Sequence, residues 1–181
     1  MKRALLLVSV CTSITFVAQP ANAMSHKSWD DASTVTVAAL GAAALGAPLV
    51  QGDWKGLAQA GASGAVAGGI AFGLKQVIHA RRPDGSSNDS FPSGHTATAF
   101  AAASTLHRRY GWEAGLPATL AAAFVGLARV KADRHHWYDV VAGAAIGEAS
   151  GMLITRPFND KVRLMPWGDT KGGGIAMAMR F

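Results

Sequence analysis

Two cations and a proline open the part of this 181-residue chain that could do chemistry. Lys75 is followed after six residues by Arg82, and Pro83 stiffens the backbone directly after the arginine. An arginine supplies a planar fork of donors and a lysine supplies a point charge, so the two together suit a phosphate group. Alone the pair is a weak signal, because cations that follow an apolar helix often face lipid headgroups.

A second group lies where a polar loop turns into an apolar segment. Ser93 is a natural helix N-cap there, and the free backbone N–H groups of a helix start favour an anion. Gly94 lets a ligand approach the backbone closely, and His95 places a titratable group beside it. The alternative is an ordinary capped helix with an incidental histidine.

Arg129, His135 and Asp139 form the third group. His135 and Asp139 are about one helical turn apart, so the carboxylate can accept a hydrogen bond from one imidazole nitrogen and fix the tautomer. The other nitrogen is then free to act as a nucleophile. The alternatives are a polar loop without catalysis and, with His136, a metal site, which the neighbouring lysine and arginine charges disfavour.

In this order and spacing, the three groups resemble the three-part signature of the type 2 phosphatidic acid phosphatase superfamily. That superfamily includes membrane lipid phosphatases, class A acid phosphatases and vanadium haloperoxidases. The resemblance extends from about Lys75 to Gly143. It departs from the signature at Ala128, where the family usually has a serine before the arginine.

The resemblance implies a role for each matching residue. Lys75, Arg82 and Arg129 would hold the phosphoryl oxygens, and Ser93 and the Gly94 backbone N–H would add hydrogen bonds. Three cations would stabilise the charge that Mg²⁺ stabilises elsewhere, so no metal or other cofactor is expected.

Catalysis is implied for the remaining three matching residues. His135 would be the nucleophile that forms a phosphohistidine, and Asp139 would orient it. His95 would protonate the leaving oxygen and later activate water.

Five apolar segments surround these groups, and none alternates with the period of a strand. Small residues recur four positions apart, as at Gly64 and Gly68 and at Gly143 and Gly147, which lets helix backbones approach closely. The sequence therefore predicts an all-α, multi-helix bundle whose five helices are transmembrane, with a soluble, alanine-rich bundle as the alternative. The segments are 34–50, 57–79, 96–106, 115–130 and 140–154.

Composition agrees with a membrane protein, since 50% of residues are hydrophobic and only 15% are charged. The net charge of +6 suggests an anionic partner, but no run of Lys and Arg exceeds two, so nucleic acid is not expected. The single cysteine, Cys11, excludes an internal disulfide. The sequence does not indicate an oligomeric state.

The N-terminal 23 residues have the layout of a secretory signal peptide: a basic start, a short apolar run and the small-x-small site that ends at Ala23. An uncleaved anchor is the alternative. The predicted divisions are a signal peptide (1–23), a helical phosphatase core (24–156) and a loosely packed C-terminal tail (157–181).

Alternate connectors fall on the same side of such a bundle. The loops at 80–91 and 131–138 should therefore share one face, and those at 51–55 and 107–113 the other. An external start places the first pair in the periplasm and Arg108 and Arg109 in the cytoplasm, as the positive-inside rule prefers. The predicted location is a bacterial inner membrane with a periplasmic site, or the periplasm itself for a soluble protein.

The predicted function is a metal-independent phosphatase acting on a membrane lipid phosphate or diphosphate through a phosphohistidine. A soluble periplasmic acid phosphatase and a lipid phosphotransferase with the same site are the enzymatic alternatives. A structural membrane protein with a degenerate site is the alternative without catalysis.

Overall fold

Five helices form the body of the protein in the computed structural model, which describes residues 24–158, 162–169 and 172–179. The all-α prediction is confirmed for this body. Each helix begins before the apolar segment that predicted it, because its first turn carries polar residues that a helix accommodates equally well. The predicted signal peptide lies outside the described residues. The helices are α1 (His26–Val50), α2 (Trp54–Val77), α3 (Gly94–Tyr110), α4 (Trp112–Lys131) and α5 (Trp137–Ile154).

The connector predicted at 107–113 is wrong. α3 continues to Tyr110 and α4 begins at Trp112, so Gly111 alone joins them, with a φ of 84° that favours glycine. The run of polar residues resembles a loop, but Arg109 is buried in the last turn of α3 and pairs with Asp53. Its charge is therefore neutralised inside the protein rather than presented to a membrane surface.

α3 lies at the centre of the bundle and contacts each of the other four helices. Its buried residues are mostly alanines, and glycines of α5 face it across a very short distance. A Cβ on Gly143 would lie 2.5 Å from the Ser93 carbonyl oxygen, and one on Gly147 would overlap the Ala97 carbonyl oxygen. The predicted small-residue contact is confirmed for α5. In α2, Gly64 has open space around its Cα, and the helix packs against α3 through Ala67 and Ala71 instead.

Three helices, α1, α2 and α4, are long and apolar enough to cross a membrane. α3 has only 17 residues but is surrounded by the other helices, so its polar residues need not face lipid. Exposed tryptophans lie at both ends of the bundle, with Trp54 and Trp112 at one end and Trp137 at the other. Such aromatic residues are typical of the two membrane–water interfaces.

The C-terminal segment adds a β-hairpin that the sequence analysis did not predict. β1 (Val162–Asp169) pairs antiparallel with β2 (Gly172–Met179), from Val162 opposite Met179 to Asp169 opposite Gly172. Larger and smaller apolar residues alternate in β2, at Ile175, Met177 and Met179 against two alanines. That period of two is typical of a strand.

We expect Gly147→Ala to destabilise the protein and Gly69→Ala to leave its stability unchanged or slightly higher. Both replace a glycine inside a helix, but only the first puts a methyl group into the backbone of α3. Overpacking of this kind costs about 1–3 kcal/mol, whereas alanine in an open helix position is favourable. Thermal unfolding in detergent measures both variants, and equal midpoints would contradict the packing described.

Candidate active site

Both loops that carry the three sequence groups lie at one end of the bundle, together with the start of α1. The Asp84 amide donates to the Asp133 carbonyl at 3.1 Å, which joins the α2–α3 loop to the α4–α5 loop. The Ser93 amide donates to the Asp139 carbonyl at 3.0 Å, which joins the start of α3 to α5. The predicted pairing of these connectors is confirmed.

His135 is buried, with 3% of its side chain exposed, and its Nδ1 lies 2.7 Å from the carbonyl oxygen of Ser90. Because a carbonyl can only accept, this contact assigns the proton to Nδ1. Nε2 is then left with its lone pair. This is the tautomer that a nucleophilic histidine needs, as the sequence analysis predicted. The group that fixes it is the Ser90 carbonyl and not the Asp139 carboxylate.

Asp139 does not hydrogen-bond to His135 directly, since its Oδ2 lies 3.8 Å from Nδ1. That oxygen instead accepts from the Ser90 hydroxyl at 2.5 Å and from the His136 amide at 2.8 Å. The expected direct contact is therefore replaced by an indirect one, in which Asp139 holds Ser90 and Ser90 holds the imidazole. His135 lies closer to the backbone carbonyl of Ser90, in the other loop, than to the Asp139 carboxylate. The spacing of His135 and Asp139 in the sequence could not reveal this.

Electrostatics keep His135 neutral. Burial, together with the positive charges of Arg129 and Lys75, lowers the pKa of His135 to about 3. The hydrogen bond to Ser90 opposes this effect but does not outweigh it. A neutral imidazole with a free Nε2 is a competent nucleophile at ordinary pH.

Asp89 brings the first two predicted cations together. The Lys75 ammonium donates to its carbonyl oxygen, and the Arg82 guanidinium contacts its carboxylate at 3.0 and 3.1 Å. The bond from the Ser87 hydroxyl, with the charges of Arg82 and Lys75, lowers the pKa of Asp89, so its carboxylate is ionised. Both cations are thus held at one point of the loop.

Arg129, the third predicted cation, is buried at the end of α4 with 5% of its side chain exposed. Its Nη1 donates to the Asp30 carboxylate and to the Ser33 hydroxyl, at 3.3 Å in the second case. Its Nε is buried and, within the described residues, lacks a hydrogen-bond partner. A buried donor without a partner is costly, so this edge of the guanidinium is available to a bound oxyanion.

The start of α3 has the expected cap. Ser93 is fully buried, and its hydroxyl lies 2.9 Å from the Thr96 hydroxyl and 3.4 Å from the Thr96 amide. A Cβ on Gly94 would meet no atom within 4 Å, so the space beside that backbone is open to a ligand. The His95 Nε2 lies 3.3 Å from the Thr34 hydroxyl of α1.

Sequence analysis missed several residues of this end of the bundle. Asp30, Ser33 and Thr34 come from α1, which none of the three groups includes, and Ser90 acts through its carbonyl. Arg134, in the loop before His135, pairs with the carboxylates of Asp30 and Asp84. A charged residue at the start of an apolar helix is the one signal that could have indicated Asp30.

At one end of this helical bundle, lysine and arginine side chains lie close to the neutral, buried His135. The chain belongs to the PAP2 superfamily, whose family model matches residues 4–163. Membership in this family confirms the resemblance stated from the sequence.

Two curated proteins are similar to the chain. One is a lipid A 1-phosphatase of Porphyromonas gingivalis, 42% identical over 93 residues, which are 49% of this chain and 21% of that protein. The other is a lipid A 4'-phosphatase of Helicobacter pylori, 32% identical over 124 residues, which are 62% of this chain and 63% of that protein. The chain thus spans about a fifth of the first relative and less than two thirds of the second.

A solved structure shares the fold. It is the crystal structure of a transmembrane PAP2-type phosphatidylglycerolphosphate phosphatase from Bacillus subtilis, with a TM-score of 0.50 and 22% identity. The match covers 71% of this chain and 74% of that one. It supports the helical architecture of the body described above.

We expect His135 to remain neutral at pH 5, with its proton on Nδ1. An unperturbed histidine of pKa about 6.5 would be about 97% protonated at that pH. The ¹⁵N NMR spectrum of ring-labelled protein in detergent measures this directly, and the spectrum of His135→Ala identifies the resonances. Signals of a doubly protonated ring at pH 5 would contradict the assignment.

Proposed function

We propose that this protein is a phosphatase that removes phosphate from a membrane lipid through a phosphohistidine at His135. The observation that carries the proposal is the neutral, buried imidazole of His135, which lies close to three positive charges. These are the charges of Lys75, Arg82 and Arg129. Such a site attracts a phosphate dianion and offers it an unprotonated nitrogen. Membership of the PAP2 superfamily and the names of both curated relatives support the same activity.

The proposed reaction has two steps. His95 first takes a proton from solvent as the phosphate dianion binds beside it. Nε2 of His135 then attacks phosphorus and the bond from phosphorus to the lipid oxygen breaks, while that oxygen takes this proton from His95. Water then gives a proton to His95 and attacks phosphorus, the phosphorus–nitrogen bond breaks, and inorganic phosphate leaves. The three cations stabilise charge on the phosphoryl oxygens in both steps.

A lipid A phosphate is the substrate that we favour. Both curated relatives are named for phosphate removal from lipid A, at two different positions. The exposed Trp137 and the half-exposed Tyr138 begin α5 beside the site. They support a position of the site at the depth of a membrane interface, where the phosphate of an embedded lipid lies.

The soluble periplasmic phosphatase is disfavoured, because three helices are apolar enough to cross a membrane and expose large apolar residues. A phosphotransferase remains the second candidate, since any hydroxyl compound that reaches the phosphohistidine can replace water. Inclusion of a lipid alcohol acceptor in the assay separates the two activities.

We expect purified protein to release inorganic phosphate from lipid A in the presence of EDTA. His135→Ala should abolish release, because no phosphoenzyme can form. His95→Ala should lower turnover by about 10²–10⁴-fold, the usual contribution of a general acid. With a nitrophenyl ester the loss in the first step should be smaller, because nitrophenolate departs without a proton.

Rapid acid-free quenching then looks for acid-labile, base-stable phosphate on each variant. Its presence in His95→Ala and absence in His135→Ala is the expected pattern, and His107→Ala, at the opposite end of the bundle, serves as the matched control. Phosphate trapped on His135→Ala would show that another residue is the nucleophile. Loss of all activity in EDTA, with recovery on adding Mg²⁺ or Zn²⁺, would contradict metal-independent chemistry.

We further propose that the site faces the periplasm of the inner membrane. In a Cys11→Ser background, a cysteine introduced by Ser87→Cys should react with an impermeant thiol reagent in intact spheroplasts. One introduced by Glu113→Cys, at the opposite end, should react only after lysis. The reverse pattern would mean that the topology is inverted.

A further inference from the structure

α1 is mainly apolar from Val37 onward, but its first three turns carry mostly polar residues. Asp30, Ser33 and Thr34 have the spacing that places side chains on one face of a helix. All three contact catalytic or phosphate-binding groups: Asp30 and Ser33 contact Arg129, and Thr34 contacts His95. None of them belongs to the three groups that the sequence singled out.

Asp30 joins three parts of the chain. Its Oδ1 pairs with the Arg129 guanidinium at the end of α4, and its Oδ2 accepts from Arg134 Nε and Nη2 at 3.0 and 2.9 Å. Arg134 precedes His135 and also pairs with Asp84 of the other loop at 3.2 Å. One carboxylate therefore connects α1 both to a phosphate-binding cation and to the loop that carries the nucleophile.

This connection leaves one edge of Arg129 for a ligand. Because Nη1 is held by Asp30 and Ser33, the planar fork is oriented, and Nε, which has no hydrogen-bond partner among the described residues, keeps a fixed direction. A carboxylate repels a phosphate dianion, so Asp30 cannot itself be a phosphate ligand. Its effect on the substrate has to act through the orientation of its partners.

We propose that Asp30 is a positioning residue, which fixes the Arg129 guanidinium and, through Arg134, the His135 loop. The inference rests on the proposed phosphatase function and adds α1 to the site. Loss of the Asp30 carboxylate would leave the cations poorly oriented, which lowers kcat. It would also remove a negative charge beside them, so the affinity for phosphate should not fall.

The test compares Asp30→Asn with Asp31→Asn. Asp31 is the next residue, but it is exposed and its ion pair is with Lys27 at 2.7 Å. For Asp30→Asn we expect kcat to fall by about 10- to 100-fold, the cost of misplacing a catalytic group by roughly 1 Å. Inhibition by inorganic phosphate should be as strong as in the wild type or stronger. Asp31→Asn should match the wild type in both measurements.

Ser33→Ala provides a second variant that keeps the charge of Asp30. It removes the weaker bond to Arg129, together with the bond that the Ser33 hydroxyl donates to the Asp30 backbone carbonyl at 2.7 Å. A several-fold fall in kcat with unchanged phosphate inhibition is expected, and it carries the test if Asp30→Asn does not fold. Asp30→Glu, which keeps the charge, should recover part of the activity. Equal kcat for Asp30→Asn and Asp31→Asn, or unchanged kcat in Ser33→Ala, would overturn the proposal. An inactive wild type would contradict the phosphatase function instead.

Discussion

The buried carboxylate of Asp139 is the group on which the geometry of the site depends. It is fully buried in the first turn of α5, where it accepts from the Ser90 hydroxyl and from the His136 amide. A buried carboxylate is costly unless it is hydrogen-bonded, and the N-terminal end of a helix favours a negative charge. Because its own carbonyl accepts from Ser93, the same residue fixes the distance between the two loops of the candidate site.

Two aspartates hold the three cations of the candidate site, Asp89 through its backbone carbonyl and its carboxylate and Asp30 through its carboxylate. Asp89 contacts Lys75 and Arg82, and Asp30 contacts Arg129. Donors that are already oriented need no reorganisation when charge develops on a phosphoryl group, which is the physical basis of electrostatic catalysis. The arrangement also explains why so many positive groups can lie together at one end of a small bundle.

The sequence could predict whatever depends on local pattern. Five helices follow from five apolar segments, and the cap of α3 follows from Ser93. Contacts between distant segments left no such pattern: the Ser90 carbonyl acts through the backbone, and Asp30 approaches Arg129 only because α1 packs against α4. Arg109 was placed in a loop for the same reason, since its partner Asp53 lies far away in the chain.

The alanines and glycines of the core determine the relative positions of the helices that carry the candidate site. With methyl groups or hydrogens between α3 and α5, the helices meet backbone to backbone, and few side-chain rotamers can absorb a shift. Ser93, at the start of α3, contacts Gly143 through its carbonyl, one turn along α5 from Asp139. The position of the start of α3, where we propose that phosphate binds, relative to the His135 loop is therefore set by helix packing. At the opposite end, Arg109 bound to Asp53 and Gln59 fixes α3 against α2, so the bundle is tied by charged pairs at both ends.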